Sequence, residues 1–214
     1  MNLIKNALTY LAEHQNEFGD AIATHLLLSG TSLLIGLVIS IPFGILCTRN
    51  ERLSTIIMST VNTFRVIPSL AILIIVMPIL GTGFIPALIA LCVLACPPIL
   101  INTFLGIKRI DREVLESAQG MGMTRKQILV KIELPIALPL ILSGVRTASV
   151  EIISSATLAA FIGGGGLGTF IISGLSMYNF SMLLVGAVPV ALLAIVSELL
   201  FGLVERTFTK YKRA

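Results

Sequence analysis

Five long apolar stretches, about residues 25–48, 54–80, 84–105, 136–161 and 183–204, are bounded by charge and long enough to cross a bilayer as helices. An odd number of spans places the termini on opposite sides. Ahead of the first stretch, residues 2–12 put Leu3, Ile4, Ala7, Leu8 and Leu11 on one helical stripe with Asn2, Lys5, Asn6 and Thr9 opposite, the pattern of a helix lying at the outer interface or of a frayed tail. The first apolar run is expected to stay as a span, because it follows some two dozen residues containing Glu13, Glu17 and Asp20 and exceeds the length of a signal-peptide core. Small residues recur in it every four positions, at Ser32, Gly36, Ser40 and Gly44, which predicts close helix packing. Pro68, Pro78, Pro86 and the pair Pro97-Pro98 predict bends in the second and third spans.

Composition agrees with lipid as the solvent. Of 214 residues 56% are hydrophobic and 12% charged, about half the charge of an ordinary soluble domain. The chain has little room for a separate water-soluble domain, and its formal charge of +4 argues by position rather than by sum. With the N-terminus outside, twelve of the fifteen basic residues fall on the cytoplasmic side, Lys5 lies outside, and Arg65 and Arg146 lie within spans. The fold expected is therefore an all-α polytopic membrane protein of about five transmembrane helices, N-terminus outside and C-terminus cytoplasmic. Residues 1–20 form an outer interfacial segment, 21–209 the transmembrane domain, 108–135 its cytoplasmic loop, and 210–214 a basic cytoplasmic tail. Cys47, Cys92 and Cys96 sit inside apolar runs and read as small packing residues, since no His or acid accompanies the i, i+4 pair Cys92 and Cys96.

The inward loop between the third and fourth spans reads as structured. Asp111 can cap a short helix through Gln119, Gly120-Met121-Gly122 breaks it, Thr124 with Gln127 forms a capping box, and Pro135 is expected to stop or redirect the chain. Ile128, Leu129 and Ile132 present an apolar face while Arg125, Lys126 and Lys131 stay wet, which suits docking of a partner protein.

The residues of this loop are more specific still. Glu116-Ser117-Ala118, three residues, Gly122, nine residues and Ile132-Glu133-Leu134-Pro135 resemble the EAA loop of inner-membrane subunits of ABC-type importers, with Ser117 as the one departure from Glu-Ala-Ala, x3, Gly, x9, Ile-x-Leu-Pro. The stretches 64–70, 120–124 and 156–162, the last followed by a glycine run, look like permeases of the osmoprotectant branch, which import glycine betaine, choline, carnitine and related quaternary amines. Methionine-importer permeases are a more distant resemblance. The resemblance implies a type I ABC importer permease fold and a coupling role for Glu116, Ser117, Ala118, Gly122, Ile132, Leu134 and Pro135. It also implies two ATPase subunits at the cytoplasmic loop, a second permease subunit (the same chain or a paralogue), an extracytoplasmic solute-binding protein, and the bacterial inner membrane as location. The chain itself is expected to be no enzyme, to bind no cofactor or metal and to contact lipid but no nucleic acid; ATP-Mg belongs to the partner. Import of an amino acid such as methionine, or a carrier or channel without an ATPase, are the alternatives.

Residues 163–168, GGGGLG, match a dinucleotide pattern but follow a span rather than a strand, and no acid lies near twenty positions on. Gly163, Gly164, Gly165 and Gly166 read instead as close packing or a flexible gate. Arg65, Arg146, Glu151 and Glu198 lie inside spans, where each costs about 3 kcal/mol or more unless it faces protein or water. Arg146 and Glu151 are five apart and do not make an i, i+4 pair. Glu151 suits a structural pairing or a pathway wall; Glu198 suits the inner interface or a helix-packing contact. Arg65, Pro68, Ser69, Glu151, Ser155 and the glycines 163–166 are the candidate pathway or gating residues. His14 and His25 read as isolated, outer residues without chemistry.

Overall fold

The computed structural model describes residues 2–209, and most of them are helical. Its elements are α1 (Asn2–Glu13), α2 (Gln15–Cys47), α3 (Glu51–Val66), α4 (Ser69–Leu80), α5 (Phe84–Lys108), α6 (Arg112–Gly120), α7 (Arg125–Ile128), α8 (Leu134–Ala156), α9 (Gly168–Ser176) and α10 (Phe180–Thr209). A π-helical turn at Leu129–Glu133 joins α7 to α8, and a 3-10 turn spans Leu158–Ile162. Four helices are long and apolar enough to cross a membrane, and α3 with α4 makes a fifth span if the bent pair counts as one. The basic tail expected at 210–214 lies outside the described residues.

Helix α5 occupies the centre, packed between α2 and α8, with α4 beside it; α10 covers α8, and α1 and α9 lie on α10. The arrangement follows from where the small residues fall. Ser32, Gly36, Ser40 and Gly44 are all buried, and a Cβ on Gly36 would sit 2.7 Å from the Ala95 Cβ while one on Gly44 would sit 2.8 Å from the Thr103 Cβ. Gly144 does the same for α5 and α8, its notional Cβ lying 2.6 Å from the Pro98 carbonyl oxygen. Lipid offers little hydrophobic force between helices, so such backbone approach supplies much of the association. Gly36→Ala is expected to cost about 1–3 kcal/mol by overpacking, read as a lower melting temperature of the detergent-solubilised protein.

Large apolar side chains point outward, as a lipid solvent demands. Val38 is 74% exposed and Ile79 78%, and Leu192, Leu199 and Leu203 line the outer face of α10. Helix α1 rests its Ala7, Tyr10 and Leu11 on the α10 cluster around Val185 and Phe170, so its stripe packs in part on protein as well as facing outward through Leu3, Ile4 and Leu8.

Proline acts unevenly. Residue Ile67, held extended ahead of Pro68 (ψ 125°), ends α3, and the chain resumes as α4 at an angle of 101°. The second span is thus broken rather than kinked. Pro97 and Pro98 are buried inside an uninterrupted α5, where Asn102 donates a side-chain bond to the Pro98 carbonyl at 2.8 Å.

Pro135 does not stop the chain as expected. Arg125–Ala156 runs as one apolar span, with Pro135 in the first turn of α8. The preceding turn widens to π geometry, in which the Leu134 N–H reaches back to the Leu129 carbonyl. Helix α9, between the last two long helices, had no counterpart among the expected elements; its nine residues are too short and glycine-flanked for a periodicity signal.

Candidate functional site: an inward coupling segment and a charged cavity

The inward segment is built by local capping. Helix α6 ends in a Schellman motif: the Met123 N–H donates to the Ala118 carbonyl and the Gly122 N–H to the Gln119 carbonyl, with Gly122 at φ +78°. Only a glycine enters that conformation without strain, so the turn needs Gly122 for its backbone and not for space, since nothing lies within 4 Å of a notional Cβ there. Thr124 then opens α7 with the full capping box, the Gln127 N–H donating to Thr124 Oγ1 and the Thr124 N–H to Gln127 Oε1. Asp111 stands at the N-cap position of α6 but makes no side-chain cap bond.

Of the seven residues expected to couple, Ala118 is fully buried, Ile132 and Leu134 are half-buried, and Glu116, Ser117, Gly122 and Pro135 are exposed. Glu116 accepts a bond from Arg112 Nε at 3.0 Å, in an i, i+4 pair that is wet on both sides and therefore weak. Two apolar side chains also face water here, Met121 at 74% exposure and Val114 at 40%. The turn thus presents apolar tips beside a carboxylate.

One residue within the segment was not singled out from the sequence. Glu133 is 2% exposed, and both its oxygens accept from Arg49, one from Nη1 at 3.0 Å and the other from Nη2. Arg49 follows the C-cap of α2, so the fork ties the inner end of the first span to the π turn. A cleft of about 580 Å³ lies between them, walled by Thr48, Arg49, Gln119, Arg125, Lys126 and Glu133. The acid sits at the unspecified position of the Ile-x-Leu-Pro pattern, one residue before α8 begins at Leu134, and no neighbour along the chain marks it.

A second site lies deeper. Arg65, Pro68, Ser69, Glu151 and Ser155 line one cavity of about 310 Å³, together with Phe64 and Ser154. The 101° break presents the last turn of α3 and the first of α4 to the C-terminal part of α8. Gly163–Gly166 are elsewhere. They form the turn after the 3-10 segment, with Gly163, Gly165 and Gly166 at positive φ, and a Cβ on Gly164 would sit 2.8 Å from Ala87.

Two other expectations change. His25 is not isolated: it is fully buried, its Nε2 lies 3.1 Å from the Ile153 carbonyl, and its ring abuts Gly166. It extends the buried stripe of α2 seven residues before Ser32, a register the small residues alone already defined. Arg146 is bonded by Glu198 and, at 3.2 Å, by Glu205, which joins α8 to α10 and leaves Arg146 and Glu151 unpaired with each other, as their spacing predicts.

Residues 40–210 match the model of the family described as binding-protein-dependent transport system inner membrane component. The chain is 42% identical over 202 residues to the carnitine transport permease protein of Listeria monocytogenes, covering 94% of this chain and 93% of that one. It is 41% identical over 185 residues to the choline transport system permease protein OpuBB of Bacillus subtilis, covering 86% and 85%. Its fold is similar to that of the permease chain solved in inward facing conformations of the MetNI methionine ABC transporter, with a TM-score of 0.84, 23% identity and coverage of 92% and 98%.

Proposed function

This chain belongs to the family of inner membrane components of binding-protein-dependent transport systems, and we propose that it is one wall of a solute pathway driven by a separate ATPase, carrying small quaternary amines of the betaine, carnitine and choline type. The observation that carries the solute class is identity of about two fifths, over most of both chains, to permeases named for carnitine and choline.

Five spans are too few to enclose a pathway comfortably, so a second permease subunit, identical or paralogous, completes it. The N-terminus lies outside, and α6 with α7 faces the cytoplasm. There an ATPase subunit seats on the turn at Gly122, with Glu116 and Ser117 at its contact and Ala118 packed beneath. ATP-Mg is held by that partner and drives its closure. The push passes through α7 and the π turn into α8, which carries Glu151, and through the Arg49–Glu133 fork into α2. Spans then rock between inward and outward access. Solute arrives on an extracytoplasmic binding protein. The rigid connection supports this reading, because Arg125–Ala156 is one continuous helix from the proposed docking surface to the cavity.

Proteoliposomes holding the whole transporter should accumulate labelled glycine betaine, carnitine or choline only with ATP on the ATPase side, and lose uptake when the ATP site is disabled. Uptake undiminished without ATP would make the chain a carrier or channel instead.

A further inference from the structure

The four charges within the spans divide into two pairs of different character. Arg146 is bonded within the subunit by Glu198 and Glu205, and its charge is met. Arg65 and Glu151 are not joined within 4 Å among the described residues, yet both line the same cavity. The two stand on different elements, Arg65 in the last turn of α3 beside the break at Pro68 and Glu151 in the last quarter of α8. Charges kept inside a membrane without a direct partner are costly and mark pathways.

The remaining lining is mixed. Ser69, Ser154 and Ser155 bring hydroxyls and Phe64, 42% exposed, an aromatic residue, among apolar residues such as Ile72 and Leu94. A volume of about 310 Å³ is at the small end of small-molecule sites, about 300–1,000 Å³. An aromatic face and a carboxylate together attract a quaternary ammonium, which cannot donate a hydrogen bond, and a guanidinium is shaped to hold a carboxylate by two bonds.

We propose that this cavity is a transit site for zwitterions, in which Glu151 and Phe64 receive the quaternary ammonium and Arg65 receives the solute's carboxylate. The proposal rests on the quaternary-amine reading above and adds a discrimination that reading does not contain. Choline has the ammonium and no carboxylate, so it uses half the site. Because Arg65 precedes the break at Pro68, a change in the bend would move the guanidinium relative to Glu151 and release the two ends of the solute separately.

The test uses the whole transporter in proteoliposomes at saturating solute, so that translocation is read rather than capture by the binding protein. Arg65→Gln is expected to slow glycine betaine and carnitine about tenfold or more while choline slows no more than about twofold, the loss expected for one charge-assisted contact. Arg65→Lys should recover most of the zwitterion rate, and Glu151→Gln should slow all three. If Arg65→Gln slows all three alike, or none, the site is overturned while the quaternary-amine reading stands. Wild-type carriage of choline alone likewise overturns it. Where the wild type carries only zwitterions, failure of the lysine to recover the rate overturns it. If the wild type carries none of the three, the quaternary-amine reading itself falls and takes this ligand with it.

Discussion

Gly122→Val is expected to abolish ATP-driven uptake while the spans remain folded. The residue sits at φ +78°, where a β-branched side chain is strongly disfavoured, and the two Schellman bonds from Met123 and Gly122 depend on that conformation. Valine would open the turn and re-aim α6 against α7. Strain at such a position costs about 1–3 kcal/mol, too little to unfold a bundle whose core lies around α5, yet enough to misplace the exposed tip that a partner must recognise. Gly122→Asn should be milder, since Asn tolerates the left-handed region better than other residues. Purified yield and melting temperature near wild type, with uptake lost and the ATPase no longer co-purifying, is the result expected; normal uptake with valine would remove the turn from the coupling path.

Arg49→Ala should destabilise the protein more than Glu133→Ala does. Glu133 is 2% exposed and Arg49 49%, so removing the arginine strands a buried carboxylate, at a cost of about 3–5 kcal/mol. Removing the acid leaves a guanidinium that can turn to water, for which a loss nearer the ~1–3 kcal/mol of an unmade hydrogen bond is expected. The double variant Arg49→Ala with Glu133→Ala should recover part of the arginine variant's loss. Thermal unfolding of the four proteins in one detergent checks the order. An arginine variant as stable as wild type would show the fork to be dispensable for the link between α2 and the π turn.

Much of this architecture is written in local patterns. Five apolar stretches between charges locate the spans because lipid imposes a length on them, and the Thr124 and Gln127 capping box and the Gly122 turn are legible because capping is decided within a few residues. What escaped depends on distant partners. Pro135 looked like a stop, but a π turn absorbs its missing donor and keeps α7 and α8 in line. Pro68 looked like a kink and is a break of 101°, a difference set by what α3 and α4 each pack against. Arg49 and Glu133 are 84 residues apart in sequence, and neither carries a mark of the other. The candidate pathway residues were legible as charges that lipid would not tolerate, whereas Phe64 and Ser154 join them only because the broken span faces α8. Gly163–Gly166 read as close packing or a gate; in three dimensions Gly163, Gly165 and Gly166 take positive φ, and a Cβ on Gly164 would sit 2.8 Å from the Ala87 Cβ.

We place the transmission of force from an ATPase to the spans at residues 112–124. Amide hydrogen exchange, measured on the membrane protein alone and in complex with its ATPase, tests that most directly. Amide exchange in α6 and the Gly122 turn, most of whose residues are exposed in the isolated subunit, is expected to slow sharply when the ATPase is bound, with a further change on adding ATP. Unchanged exchange there, with protection confined to another surface, would contradict it.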